Sequence, residues 1–239
     1  KVLLVTDGNI ALHSALRACP LAKLEIATPE EFDSMSPAAV ESEAGYDLIV
    51  LDGHTPKDLP RCRYVVFGPP PAASGATPAG RGEDQVVVDW RSQHPVLQHV
   101  DLSDLYVREY YKMKVPREAQ VLAEFGDSPA MVVVRQGGRA MLLVGFDVTQ
   151  TNWPFEPGFV MFCYNATQYV GLELGRGEDR QLAVGEAITV QGVAPGGAGT
   201  ACLFDGLAIG DEITVDGPFG LAWLREDSPR DIICVAGGS

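Results

Sequence analysis

KVLLVTDGN, residues 1–9, decides how the rest of the chain is read. Val2–Val5 is an unbroken apolar run, and Asp7-Gly8 behind it is a turn pair. A strand with one wet face alternates apolar and polar residues, whereas an unbroken run is covered on both faces. Comparable runs return in LAKLEIAT (21–28), YDLIVLDG (46–53) and RYVVFGPPP (63–71). Between the first two lies helix-like spacing through Ile10, Leu12, Leu16 and Leu21. After the second comes TPEEF, with Thr28 as cap, Pro29 at the first helical position and two acids in the first turn. Apolar strands alternating with helices predict an α/β fold, a mainly parallel sheet with flanking helices in flavodoxin-like layering.

Working outward, Ala72 to Asp84 (AASGATPAGRGED) is rich in Gly, Pro and small residues and reads as a loop. QVVVDW (85–90) reads as a strand. AQVLAEF, AMVVVRQ and RAMLLVGF follow as three β-runs, the last two joined by Gly137-Gly138, a hairpin signal. Met141–Gly171, MLLVGFDVTQTNWPFEPGFVMFCYNATQYVG, then passes from a strand through a polar turn to a helix over Pro157–Val170. That helix carries Phe159, Phe162, Cys163, Thr167 and Val170 on one face. The segment Trp153-Pro154-Phe155 reads as a stiff extended stretch, because proline fixes its own φ and biases its predecessor away from the α region. Two roles are open to it: covering a sheet edge, or meeting a partner. Beyond Gly171 the composition shifts to Gly and short β-runs, with an echo between 182–190 (LAVGEAITV) and 207–215 (LAIGDEITV). We expect an α/β domain over 1–171, a junction with short β segments over 172–200 and a small β-rich tail over 201–239.

The 239 residues carry 18 basic and 32 acidic side chains, a formal net charge of -14, which argues against nucleic acid and anionic lipid as partners. No apolar run reaches the roughly 18 residues of a membrane-spanning helix. Lys1 opens inside a strand-like run and Ser239 closely follows another, which reads as a piece of a longer chain. Cys19, Cys62, Cys163, Cys202 and Cys234 show no C-x-x-C spacing, so they read as plain buried thiols rather than zinc or redox ligands. His94 and His99 flank Pro95, which spoils the helix that would align two imidazoles on a metal. Asp7 and Asp52 each end an apolar strand in an Asp-Gly turn. The carboxyl ends of parallel strands are where α/β proteins bind ligands, so a shared cleft is one reading; Asx-turn chemistry is the other.

The stretches VLLVTDGNIALHSAL, YDLIVLDGHTP, VDWRSQHPVLQHVDLSDLYV and GFDVTQTNWPFEPGFVMFCYNATQYVG resemble the C-terminal region of bacterial membrane proteins related to the aerotolerance regulator BatA. The resemblance runs to about residue 192. It implies a class I glutamine amidotransferase-like α/β domain attached to a von Willebrand factor A domain and membrane helices absent here, so a soluble domain of a cell-membrane protein. By resemblance its partners are the von Willebrand factor A domain or a MoxR-type ATPase. Residues 202–239 instead resemble the ferredoxin–NADP reductase-like family: Gly217-Pro218-Phe219-Gly220 would close a flavin barrel, and Ala236–Ser239 would open a nicotinamide phosphate loop. The flavin motif Arg-x-Tyr-Ser/Thr is missing, Arg108-Glu-Tyr-Tyr being the nearest string, so no cofactor is expected to bind.

Glutamine hydrolysis needs a cysteine on a sharp strand-to-helix elbow, a histidine base and backbone N–H donors. Here Tyr64–Phe67 runs into Gly68-Pro69-Pro70-Pro71, and prolines supply no N–H. Cys62 precedes the strand rather than following it. The expectation is therefore a non-catalytic interaction domain, without catalytic, cofactor or metal residues. Its candidate partner surface is Trp153, Pro154 and Phe155. The alternative, from the tail, is a fragment of a flavin- and NAD(P)-dependent electron-transfer reductase.

Overall fold

A computed structural model describes residues 1–42 and 45–173. The expectations for the tail, including the echo and the reductase-like turn, lie outside these residues.

Five strands run parallel: β1 (Val2–Val5), β2 (Leu24–Ala27), β3 (Leu48–Asp52), β4 (Arg63–Phe67) and, much later, β10 (Arg139–Val144). Their order is β2-β1-β3-β4-β10, and the sheet then continues through β9 (Pro129–Gln136), β8 (Gln120–Glu124) and β6 (Asp89–Trp90). These last three pair antiparallel. The sheet is mainly parallel at one end and a meander at the other, in line with the α/β reading.

The unbroken apolar runs have the predicted cause. Val2 and Leu4 of β1 face one core, with Val50, Val65 and Phe67, and Leu3 and Val5 face the other, with Ile49, Leu51, Tyr64 and Val66. The first core is closed by α1 (Ile10–Ala18) and α4 (Pro157–Gln168), which pack on each other. The second is closed by α2 (Pro29–Ser34) and α3 (Pro37–Glu41), through Phe32 and Val40. Thr28 and Glu31 form the full capping box at α2: the Glu31 N–H donates to Thr28 Oγ1 at 3.2 Å and the Thr28 N–H to Glu31 Oε2 at 2.8 Å. Helix α1 stops at Ala18, short of Leu21, and α4 ends at Gln168 in a wider turn over Tyr169–Glu173.

The Gly-Gly hairpin is as read. Arg139 pairs with Gln136, and Gly137 and Gly138 both take positive φ, 58° and 74°, the left-handed pair that a two-residue turn between twisted strands requires.

Two expectations need correction. The supposed loop 72–84 is mostly strand: β5 (Thr77–Val86) pairs antiparallel with β7 (Tyr106–Lys114) in a separate two-stranded ribbon. QVVVDW is therefore divided, its start ending β5 and its Asp89-Trp90 forming β6. Gly82 is the reason for the misreading. It lies directly opposite Tyr110, whose ring fills the space a side chain at 82 would need. The second correction concerns Trp153–Phe155, which is a single 3₁₀ turn rather than extended chain. Thr151 Oγ1 accepts the Trp153 N–H at 3.2 Å, and the Phe155 N–H returns to the Asn152 carbonyl at 3.1 Å. Those local bonds outweigh the bias that Pro154 puts on its predecessor.

Candidate functional site

Strand order 2-1-3 places a crossover on each side of β1, and the gap between the carboxyl ends of β1 and β3 is the switch point where open α/β sheets bind ligands. A cleft of about 460 Å³ opens there, walled by Asp7, Asn9, Asp52, His54, Asp147 and Thr149, with Glu30 at its rim. The structure thus brings Asp7 and Asp52 to one cleft. It does not make Asp7 an Asx-turn residue. The turn after β1 is held by Thr6, whose Oγ1 accepts the N–H groups of Gly8 at 3.1 Å and Asn9 at 3.0 Å.

Thr6 also donates its hydroxyl to Asp52 Oδ2 at 2.6 Å, and Asn9 Nδ2 donates to Asp52 Oδ1 at 3.1 Å. Asn9 works twice: its Oδ1 caps α1 by accepting the Leu12 N–H at 3.0 Å. Burial pushes the Asp52 carboxyl up from the usual carboxylate range; the two donors oppose that shift, and the charges of Asp147 and Asp7 reinforce it. Asp147 caps the turn Val148–Gln150, its Oδ1 accepting from the Thr149 N–H at 2.7 Å and the Thr149 hydroxyl at 2.8 Å. His54 Nε2 meets Asp33 Oδ1 at 2.8 Å, and the ring stands edge-on to Phe32.

Sequence reasoning missed Thr6, Asn9 and Asp147. Asn9 was legible as a cap immediately before the helical run. The approach of Thr6 and Asn9 to Asp52 depends on β1 and β3 being neighbours, which no local pattern encodes. Thr6→Val tests the clamp. It strips an acceptor from two N–H groups and a donor from a half-buried carboxylate, at an expected cost of about 1 kcal/mol because water can reach part of the site. The measurement is urea unfolding with an unchanged slope.

Chemically the cleft is an acidic, hydrogen-bonding surface whose described walls carry no lysine or arginine, His54 being their one imidazole. No trio of His, Cys, Asp or Glu stands at metal-binding geometry among the described residues. The end of β4, where an elbow nucleophile would sit, carries Gly68 at φ 105° followed by the proline run. Cys62 lies before that strand, Cys19 and Cys163 sit in the core, and burial raises all three thiols, which keeps them protonated. His94 is buried, its Nδ1 accepting the Val96 N–H at 3.3 Å, and burial holds its imidazole below the ordinary range. His99 is exposed, at φ 60°.

The aromatic segment divides. Trp153 is 1% exposed, packed among Phe146, Phe159 and Phe162. Pro154 is half-buried and Phe155 is 87% exposed. After that turn the outer face of α4 carries Val160, Met161 and Tyr164, each 40–43% exposed.

No family model matches the chain. Two solved structures share the fold: the cytoplasmic proteins STM1381 of Salmonella typhimurium LT2 and STM3548 of Salmonella typhimurium. Each has a TM-score of 0.56 at 13% identity, over 71% of this chain and 98% of the other. At that identity the likeness concerns architecture alone. A different match comes from sequence: 44 residues, 18% of this chain, are 59% identical to the ferredoxin–NAD(+) reductase component of the alkene monooxygenase system of Xanthobacter autotrophicus. The matched part spans 14% of that relative's length. No helix among the described residues is long and apolar enough to cross a membrane.

Proposed function

We propose that residues 1–171 are a non-catalytic protein-interaction domain of the BatA-like kind, working through the outer face of α4. The observation that carries the reading is that Val160, Met161 and Tyr164 stand 40–43% exposed on the side of α4 away from the core, with Phe155 exposed in the turn just before the helix. Contiguous apolar surface of this sort marks contact sites more often than ordinary exterior. Glu156, Asp101 and Asp104 are exposed on the neighbouring backbone. A fitting partner therefore offers an apolar ridge rimmed by basic residues, and by resemblance the first two to try are a von Willebrand factor A domain and a MoxR-type ATPase.

The full chain should bind one of those two saturably in calorimetric titration. Met161→Asp with Tyr164→Asp should weaken binding at least about tenfold, as loss of buried anchors does, while leaving thermal unfolding unchanged. Absence of binding to both, or binding indifferent to the pair, would sink the proposal. The second reading, a fragment of a flavin- and NAD(P)-dependent reductase, is favoured by the 44-residue match. Saturable FAD or NADPH binding by the same preparation would move it to first place, and ammonia release from glutamine would contradict the non-catalytic assignment.

A further inference from the structure

At the opposite pole of the sheet, where β1, β3, β4 and β10 begin, lies a larger and differently charged cavity of about 780 Å³. Four arginines line it: Arg61, Arg63, Arg135 and Arg139, with Lys1 beside them. None of the four forms an ion pair with a carboxylate among the described residues. That is unexpected in a chain with 32 acidic side chains against 18 basic ones. The two carboxylates on the wall among the described residues are otherwise engaged: Glu41 accepts the Arg61 backbone N–H at 2.7 Å, and Asp47 pairs with the Lys1 α-ammonium.

The arginines divide by role. Arg63 Nη1 donates to the carbonyls of Gly171 at 2.8 Å and Asp47 at 3.3 Å, and Arg139 Nε to that of Leu59 at 2.7 Å. Carbonyl oxygens orient a guanidinium without cancelling its charge, so these two are fixed and still cationic. Arg61 and Arg135 are exposed and make no side-chain hydrogen bond to a described residue. The stem of Arg61 lies over the Gly137-Gly138 turn, its Cδ 3.6 Å from where a Cβ at Gly138 would stand. Two guanidiniums anchored on carbonyls and two without a bond to a described residue thus share one open pocket.

We infer that this pocket binds a polyphosphate group, either free or carried on a small molecule such as a nucleoside diphosphate. Guanidinium forks match phosphate oxygens two at a time and keep their charge at any physiological pH. Four of them exceed what one carboxylate could balance and suit a ligand carrying three or four negative charges. The volume lies within the range of small-molecule sites and leaves room beyond a diphosphate.

The experiment is calorimetric titration of the full chain, without magnesium and at fixed ionic strength, with inorganic pyrophosphate, ADP and citrate in separate runs. The test variant is Arg61→Gln with Arg135→Gln, which spares the two anchoring arginines. The control is Arg17→Gln with Arg117→Gln, the same charge change outside the pocket. We expect one-to-one pyrophosphate binding, weakened about tenfold or more in the test variant and unaltered in the control. Tighter binding of ADP than of pyrophosphate assigns the group to a nucleotide; the reverse assigns it to free polyphosphate. No saturable binding of either phosphate, equal weakening in both variants, or citrate binding more tightly than both phosphates would overturn the inference. Matching thermal unfolding of the unliganded proteins excludes misfolding as the source of a loss.

Discussion

Replacing Trp153 by alanine should cost about 3–5 kcal/mol of folding stability, the range for emptying a large aromatic from a core. Its ring contacts Phe146, Phe159 and Phe162 at centroid distances of 4.7–5.9 Å, so the hole would open where β10 runs on to meet α4. The indole Nε1–H finds no acceptor among the described residues. Trp153→Phe should therefore cost much less than the alanine change, because it discards an unsatisfied donor along with part of the ring. Phe155→Ala, two residues on and in water, should stay within about 0.5 kcal/mol of wild type. Denaturant unfolding of the three variants separates the alternatives left open by the sequence. A Trp153→Ala loss below about 1 kcal/mol would remove the residue from the core, and a comparable loss at Phe155 would mean that its side chain is packed.

Gly82→Val should destabilise the β5–β7 ribbon by about 1–3 kcal/mol, as overpacking does. A Cβ at position 82 would come within 2.2–2.3 Å of the Tyr110 ring, which is 2% exposed and hydrogen-bonded through its hydroxyl to Asp127 at 2.6 Å. The ring cannot swing out without breaking that bond and leaving its tilted contact with Phe125, 4.5 Å between centroids. An aromatic laid over a cross-strand glycine is a known way to keep glycine in a strand. Gly82→Val with Tyr110→Ala should lose less than the sum of the two single losses, since the clash disappears with the ring. Additive losses in this pair, read from denaturant unfolding, would show that the two residues do not act on each other.

These residues also show what could be read from the chain before its structure. The starts of β1 and β3 were legible because buried parallel strands must be continuously apolar, and Gly137-Gly138 because few residues tolerate two positive φ angles in a row. Asp7 and Asp52 were legible as strand ends. Thr6 and Asn9 as a clamp on Asp52 were not, because 43 to 46 residues separate the partners and only the 2-1-3 order joins them. The β5 strand was hidden for a related reason. Its glycines carry no pattern of their own, and the side chain that makes one of them viable lies on the opposite strand.

The insertion of β10 between β4 and β9 has a consequence for how the protein is made. Every β4 residue that pairs with β10 waits for a partner 77 positions later, Arg63 for Ala140 and Phe67 for Val144. As the chain leaves the ribosome, β1 to β4 can assemble early through near neighbours, but the far side of β4 stays an open apolar edge until most of the domain has emerged. Such an edge is a template for another nascent chain, and closing it requires a long loop to be drawn together first. The completion of biogenesis therefore rests on a single late strand, and its Gly-Gly turn, by pairing β10 with β9 locally, delivers that strand as a preformed hairpin rather than a lone segment.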